Sequence, residues 1–140
     1  MREIKFRGKR IDNGEWVHGG IITSASRAWI KNNENLFINP LRINQSTADF
    51  RLDEVNPSTV GQYTGFKDKN GTEIYEGDIC NCREYECFGK VEWNNEEAGF
   101  YFCVVMEGGG FEEEHLYDYA DELEVIGNIH DNPERLGGAE

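Results

Sequence analysis

The stretch Val60-Gly61-Gln62-Tyr63-Thr64-Gly65-Phe66-Lys67-Asp68-Lys69-Asn70-Gly71-Thr72-Glu73-Ile74-Tyr75-Glu76-Gly77-Asp78-Ile79 decides the fold. Asp68-Lys69-Asn70-Gly71 reads as a hairpin turn, because Asn and Gly accept the positive φ that tight turns demand. Before it, Val60, Gln62, Thr64 and Phe66 alternate with Gly61, Tyr63, Gly65 and Lys67. After it, Thr72, Ile74 and Glu76 alternate with Glu73 and Tyr75. A period of two built from β-branched and aromatic residues is a strand pattern. Gly61 and Gly65 carry no side chain to pack and suggest bends or close backbone approach. Tyr75-Glu76-Gly77-Asp78-Ile79 then turns sharply into a new strand. By analogy, a Gly-Asp corner of this kind precedes the first strand of small SH3-type barrels.

Working back toward the N-terminus, Ile4, Phe6 and Gly8 alternate with Lys5, Arg7 and Lys9, a first strand with apolar residues inside and basic ones outside. Asp12-Asn13-Gly14 is its turn, and Trp16 to Ile22 the returning strand, with a bulge or bend at Gly19-Gly20. Ala28 to Lys31 and Leu36-Phe37-Ile38 read as a second hairpin around Asn32 to Asn35, ended by Pro40. Leu41 to Phe50 is polar and irregular, and Asp53 to Pro57 reads as a junction. Pro57 to Val60 suits a single helical turn.

Toward the C-terminus the pattern is strand after strand: Ile79 to Arg83, Gly89 to Trp93, and Phe100 to Val105, apolar on both faces and therefore the most buried. Gly108-Gly109-Gly110 is a turn. Phe111 to Glu122 is mostly acidic, and Leu116, Tyr119 and Leu123 have the spacing of a short helix covering a barrel end. Glu124 to Ile129 is a last strand, followed by a frayed helical turn at Asn132 to Leu136.

The quoted stretch, the opening Met1 to Arg7 and the closing Glu124 to Pro133 together resemble the YopX family, whose members are encoded mostly by phages and prophages of low-GC Gram-positive bacteria. The resemblance frames the whole chain and implies a phage accessory protein, with no activity to carry over. Family and strand count point the same way: a mostly β fold of two small packed β-units, the C-terminal one resembling an SH3-type barrel, with short helical turns. The expected division is an N-terminal subdomain over residues 1–56, then the hairpin and barrel over residues 57–140. The boundary is soft, with Gly77 as the other choice.

With 38% hydrophobic and 12% aromatic residues in 140, a buried core is feasible, which argues against a wholly disordered chain. No run of about 18 apolar residues offers a transmembrane helix. The charged N-terminus has no apolar core of a secretory signal, so the expected location is the cytoplasm. The formal net charge is -13, unevenly placed: residues 1–56 hold 9 Lys and Arg against 7 Asp and Glu, residues 57–140 hold 5 against 20. The acidic half repels a nucleic-acid backbone and suits a basic partner.

No catalytic constellation stands out. Ser24, Ser26, Ser46 and Ser58 have no nucleophile elbow, no P-loop or G-x-G-x-x-G occurs, and Gly108-Gly109-Gly110 lacks a phosphate cradle's lysine and helix. His18, His115 and His130 are widely separated. Cys80, Cys82, Cys87 and Cys103 lack the paired short knuckles of structural zinc sites, and C-x-C-x4-C with a reducing compartment argues for buried thiols, without metal or disulfide. The expectation is therefore a non-enzymatic module with no cofactor and no metal.

Two surfaces remain. Glu112, Glu113, Glu114, Asp118, Asp121 and Glu122 form the densest acidic run, either a solvated face or a docking face for a basic protein partner. The same run could mimic DNA phosphates and occupy a host DNA-binding protein. Arg2, Lys5, Arg7, Lys9 and Arg10, with Trp16 and Trp29, could suit single-stranded nucleic acid. The plainer account puts those tryptophans in the core, which makes a nucleic-acid partner the weaker expectation. Spare strand edges also suit a homo-oligomer.

Overall fold

A computed structural model describes residues 3–32 and 51–139. Among the described residues the fold is mostly β, with one short α-helix. The chain forms two compact units, Met1–Gln62 and Tyr63–Glu140.

The first unit is an antiparallel sheet of β1 (Phe6–Lys9), β2 (Trp16–Ser24), β3 (Arg27–Asn32) and β4 (Arg51–Val55), in the order β4-β3-β2-β1. The Asp12-Asn13-Gly14 turn forms as read, with Asn13 Oδ1 accepting from the Glu15 amide at 2.9 Å. β2 changes partner at Gly19-Gly20, from β1 to β3. Ala28, Ile30 and Val55 are buried, and Phe6, Val17, Ile21 and Val60 pack against them. The expected strand at Leu36 to Ile38 lies outside the described residues.

Two expectations change here. Ile4 precedes β1 and is exposed, so the inward alternation begins at Phe6. Asp53 to Val55 is not a junction but part of β4, paired with β3. Its pattern is hidden because Leu52 faces solvent, while the inward Asp53 is buried beside the Arg10 guanidinium at 3.6 Å. A 3-10 turn follows at Pro57–Thr59, capped by Asn56, whose Oδ1 accepts from the Ser58 amide.

The second unit begins within β5 (Gly61–Lys67), which turns into β6 (Glu73–Tyr75). A five-stranded antiparallel sheet follows: β7 (Asp78–Cys82), β8 (Cys87–Asn94), β9 (Gly99–Val105), β10 (Phe111–His115) and β11 (Glu124–Asn128). Its order is β10-β9-β8-β7-β11, so β10 and β11 are its edges and the ladder does not close. The acidic residues 112–114, expected in a loop or helical turn, lie in β10. Helix α1 (Leu116–Tyr119) and a 3-10 turn at Ala120–Glu122 come after it. They cover one face of the sheet: Leu116, Ala120 and Leu123 pack with Cys80, Cys82, Val91, Phe100 and Phe102.

The stretch that decided the fold is a set of staples. Asp68, 6% exposed, accepts through Oδ1 from the Asn70 and Thr72 amides at 2.8 and 2.9 Å. Its Oδ2 accepts from the Val125 amide of β11 at 2.9 Å. Gly71 has φ +83°, the left-handed region the turn requires. Buried Thr64 donates its hydroxyl to the Ile74 carbonyl at 2.7 Å. Asp78, 1% exposed, accepts from the Tyr75 amide at 2.7 Å and so fixes the corner that opens β7. These polar groups are spent on backbone donors and acceptors, which is the chemistry of holding turns.

Candidate partner-binding groove

Register sorts the side chains of the second sheet onto two faces. Lys90, Cys103 and Glu113 stand in one row across β8, β9 and β10, and Glu92, Tyr101 and His115 in the next. Side chains alternate along each strand, so this face is opposite the one α1 covers. A hollow of 430 Å³ lies here, lined among others by Glu92, Asn94, Glu96, Tyr101, Cys103 and Glu113.

The walls are held. Asn94 donates Nδ2 to Glu113 Oε2 at 3.1 Å, while its Oδ1 accepts the Glu96 and Glu97 amides. Glu92 pairs with Lys90 at 2.7 Å and accepts from the Cys103 thiol at 3.8 Å. Lys90 also lies 4.4 Å over the Phe111 ring. The Tyr101 and His115 rings sit 4.7 Å apart, and His115 and Tyr117 5.3 Å apart, an aromatic row running out from the hollow.

The surroundings shift two ionisable groups here. Burial first, then Glu92 and Glu113, push the Cys103 thiol up to about 12, against the opposing pull of Lys90. Burial, then Glu97 and Glu113, raise the Tyr101 phenol. Both groups are therefore held neutral at physiological pH, and Cys103 is no nucleophile. The hollow joins carboxylates to ring faces, which is the chemistry that holds a guanidinium or ammonium.

The acidic run does not form one face. Glu113 points to the hollow, while Glu112 and Glu114 alternate to the other side of the edge strand. Glu114 raises the Tyr119 phenol there, ahead of burial. Asp118, Asp121 and Glu122 follow on α1 and its 3-10 extension, with Asp118 and Asp121 exposed. Glu92 and Tyr101, expected only as strand residues, and Asn94, expected only in a loop, do not stand out in the sequence as site residues. Their signal was the Asn94–Gly99 hairpin end, from which counting pairs Glu92 with Tyr101.

On the first sheet the tryptophans are not in the core. Trp16 and Trp29 are half-buried on the face opposite Ile30 and Val55. Arg7 lies 4.7 Å over the Trp16 ring, Lys9 5.6 Å over it, and Arg27 4.7 Å over Trp29. Cations cover ring faces that a core would have buried. Arg10 leaves the basic row, since strand parity turns it to the other side with Asp12 and Asp53. Arg2 lies outside the described residues.

Among the described residues no three His, Cys, Asp or Glu side chains converge as metal ligands. Among them, too, no helix is long and apolar enough to cross a membrane.

Comparison with known proteins adds a family. A family model described as YopX protein matches residues 5–137. The crystal structure of protein EF1440 from Enterococcus faecalis is similar, with 21% identity, 97% of this chain and 99% of that chain covered, and a TM-score of 0.43. No curated protein matches.

Proposed function

The chain belongs to the YopX family, and from that premise we propose a phage- or prophage-encoded accessory protein that binds a basic segment of another protein and catalyses no reaction. One observation carries the reading: the hollow in which Glu92 and Glu113 flank Tyr101 and Cys103. A lysine or arginine side chain entering it meets carboxylates at the walls and rings below. The neutral Tyr101 and Cys103 supply no competing charge.

Edge strand β10 argues for a different chain rather than a second copy. Antiparallel pairing of two β10 strands brings Glu112, Glu113 and Glu114 against the same residues, and like charges placed opposite are destabilising. A basic segment has the complementary sign. A DNA mimic would spread its acids as a phosphate-like array, whereas here they divide between two faces of one sheet.

The test is calorimetric titration of the whole chain with an arginine-rich peptide at several salt concentrations. Binding at low salt that weakens steeply as the screening length falls to about 8 Å supports the reading. Absence of binding, or salt-independent binding, overturns it. Duplex DNA in the same cell is expected to give no heat.

A second reading rests on the first unit, where Trp16 carries both Arg7 and Lys9. Indole and guanidinium together suit single-stranded nucleic acid. Oligothymidylate titrated alongside the peptide decides it: binding lost in Trp16→Ala supports it, and no binding removes it.

A further inference from the structure

We propose that Cys82 and Cys87 are an oxidisable dithiol, converted to a cross-strand disulfide by thiol–disulfide exchange with a low-molecular-weight disulfide. The two residues are direct partners in the β7–β8 ladder and close the Arg83–Glu86 turn. Antiparallel partners have Cα atoms about 4.5–5.5 Å apart. A disulfide needs about 4.4–6.8 Å, so the bond requires no movement of the strands. Both side chains point to the same face and pack in the core cluster of that unit.

In the ladder Cys80 stands opposite Gly89 and also opposite Val125 of β11, and Cys103 opposite Lys90 and Glu113 on the other face. The expectation of no disulfide rests on the C-x-C-x4-C spacing and a reducing compartment. The hairpin register, which spacing alone does not give, makes Cys82 and Cys87 direct partners.

Access sets the order of events. Cys82 is 1% exposed, whereas Cys87 is half-buried beside a 300 Å³ hollow at the hairpin end. Cys87 therefore attacks first, as the thiolate, on one sulfur of the reagent. The reagent's S–S bond breaks, and one reagent thiol leaves with the proton that Cys87 gave up. Cys82 then attacks the Cys87 sulfur of the mixed disulfide and expels the second reagent thiol, which takes the Cys82 proton. Two electrons pass from the cysteines to the reagent, and a thiol reductant reverses the exchange. Burial and the neighbouring Cys82 raise the Cys87 thiol, which slows its attack.

The test treats the folded, full chain with excess 2-hydroxyethyl disulfide and titrates thiols after acid quench and unfolding. The free thiols, four in the structure, are expected to fall to two, with a mass lower by two hydrogens and a Cys82–Cys87 cross-link in the peptide map. Cys82→Ser is expected to stop at a mixed disulfide on Cys87. Cys87→Ser, at the less buried position, is expected to slow thiol loss by about tenfold or more. Retention of all four thiols, a cross-link containing Cys80 or Cys103, or oxidation of Cys87→Ser as fast as the wild type overturns the proposal.

Discussion

Gly89→Ala is expected to cost about 3 kcal/mol or more, because it presses one strand of the second sheet into its neighbour. A Cβ at Gly89 meets the Cys103 carbonyl oxygen at 2.1 Å, its carbon at 2.7 Å and the Val104 Cα at 3.0 Å. All three are backbone atoms, so no rotamer relieves the contact. The β8–β9 ladder has to open, and the groove rests on that ladder. Gly99→Ala is the control: at the far end of the same pair its nearest atoms lie at 3.9 Å, ordinary contact. Urea unfolding of both variants decides the point. Equal midpoints for the two would mean that β8 and β9 are not packed as described.

Asp68→Ala is expected to cost about 2–4 kcal/mol, since it withdraws a buried carboxylate from three backbone amides at once. Two of these are in its own turn, at Asn70 and Thr72, and water can replace the lost oxygen there. The third, Val125, lies in β11 and is the costly one to leave unpaired. Asp68→Asn keeps one accepting oxygen and should lose about half as much. A loss for Asp68→Ala no larger than for Thr72→Val, whose side chain is exposed, would show that the tie to β11 contributes nothing.

These two residues also mark how far the sequence can be read. The turn at Asp68 to Gly71 and the corner at Gly77-Asp78 were legible because positive φ and short polar side chains are local requirements. The bond from Asp68 to Val125 spans 57 positions, and no local pattern announces it. β4 was missed because Leu52 is outward and Asp53 inward, the reverse of ordinary alternation. β10 was missed because three consecutive glutamates look like a loop, although an edge strand carries charge readily.

The candidate site was half legible. Its acidity shows in composition, but composition cannot assign faces. Glu92, Tyr101 and Glu113 come from three strands and meet only through register. Trp16 and Trp29 misled for the opposite reason. Large aromatic residues are usually buried, and here Arg7, Lys9 and Arg27 cover them in place of a core.

The central claim is that a basic partner is held by the groove and not by diffuse negative charge. Glu112 and Glu113 separate the two, being adjacent in sequence and on opposite faces of β10. Glu112→Gln and Glu113→Gln change net charge equally, so titration of each with the same arginine-rich peptide is the direct measurement. The groove predicts that Glu113→Gln weakens binding by about fivefold, roughly 1 kcal/mol, while Glu112→Gln changes it by less than about twofold. Equal weakening by both would contradict the account and assign the attraction to the overall charge of the acidic half.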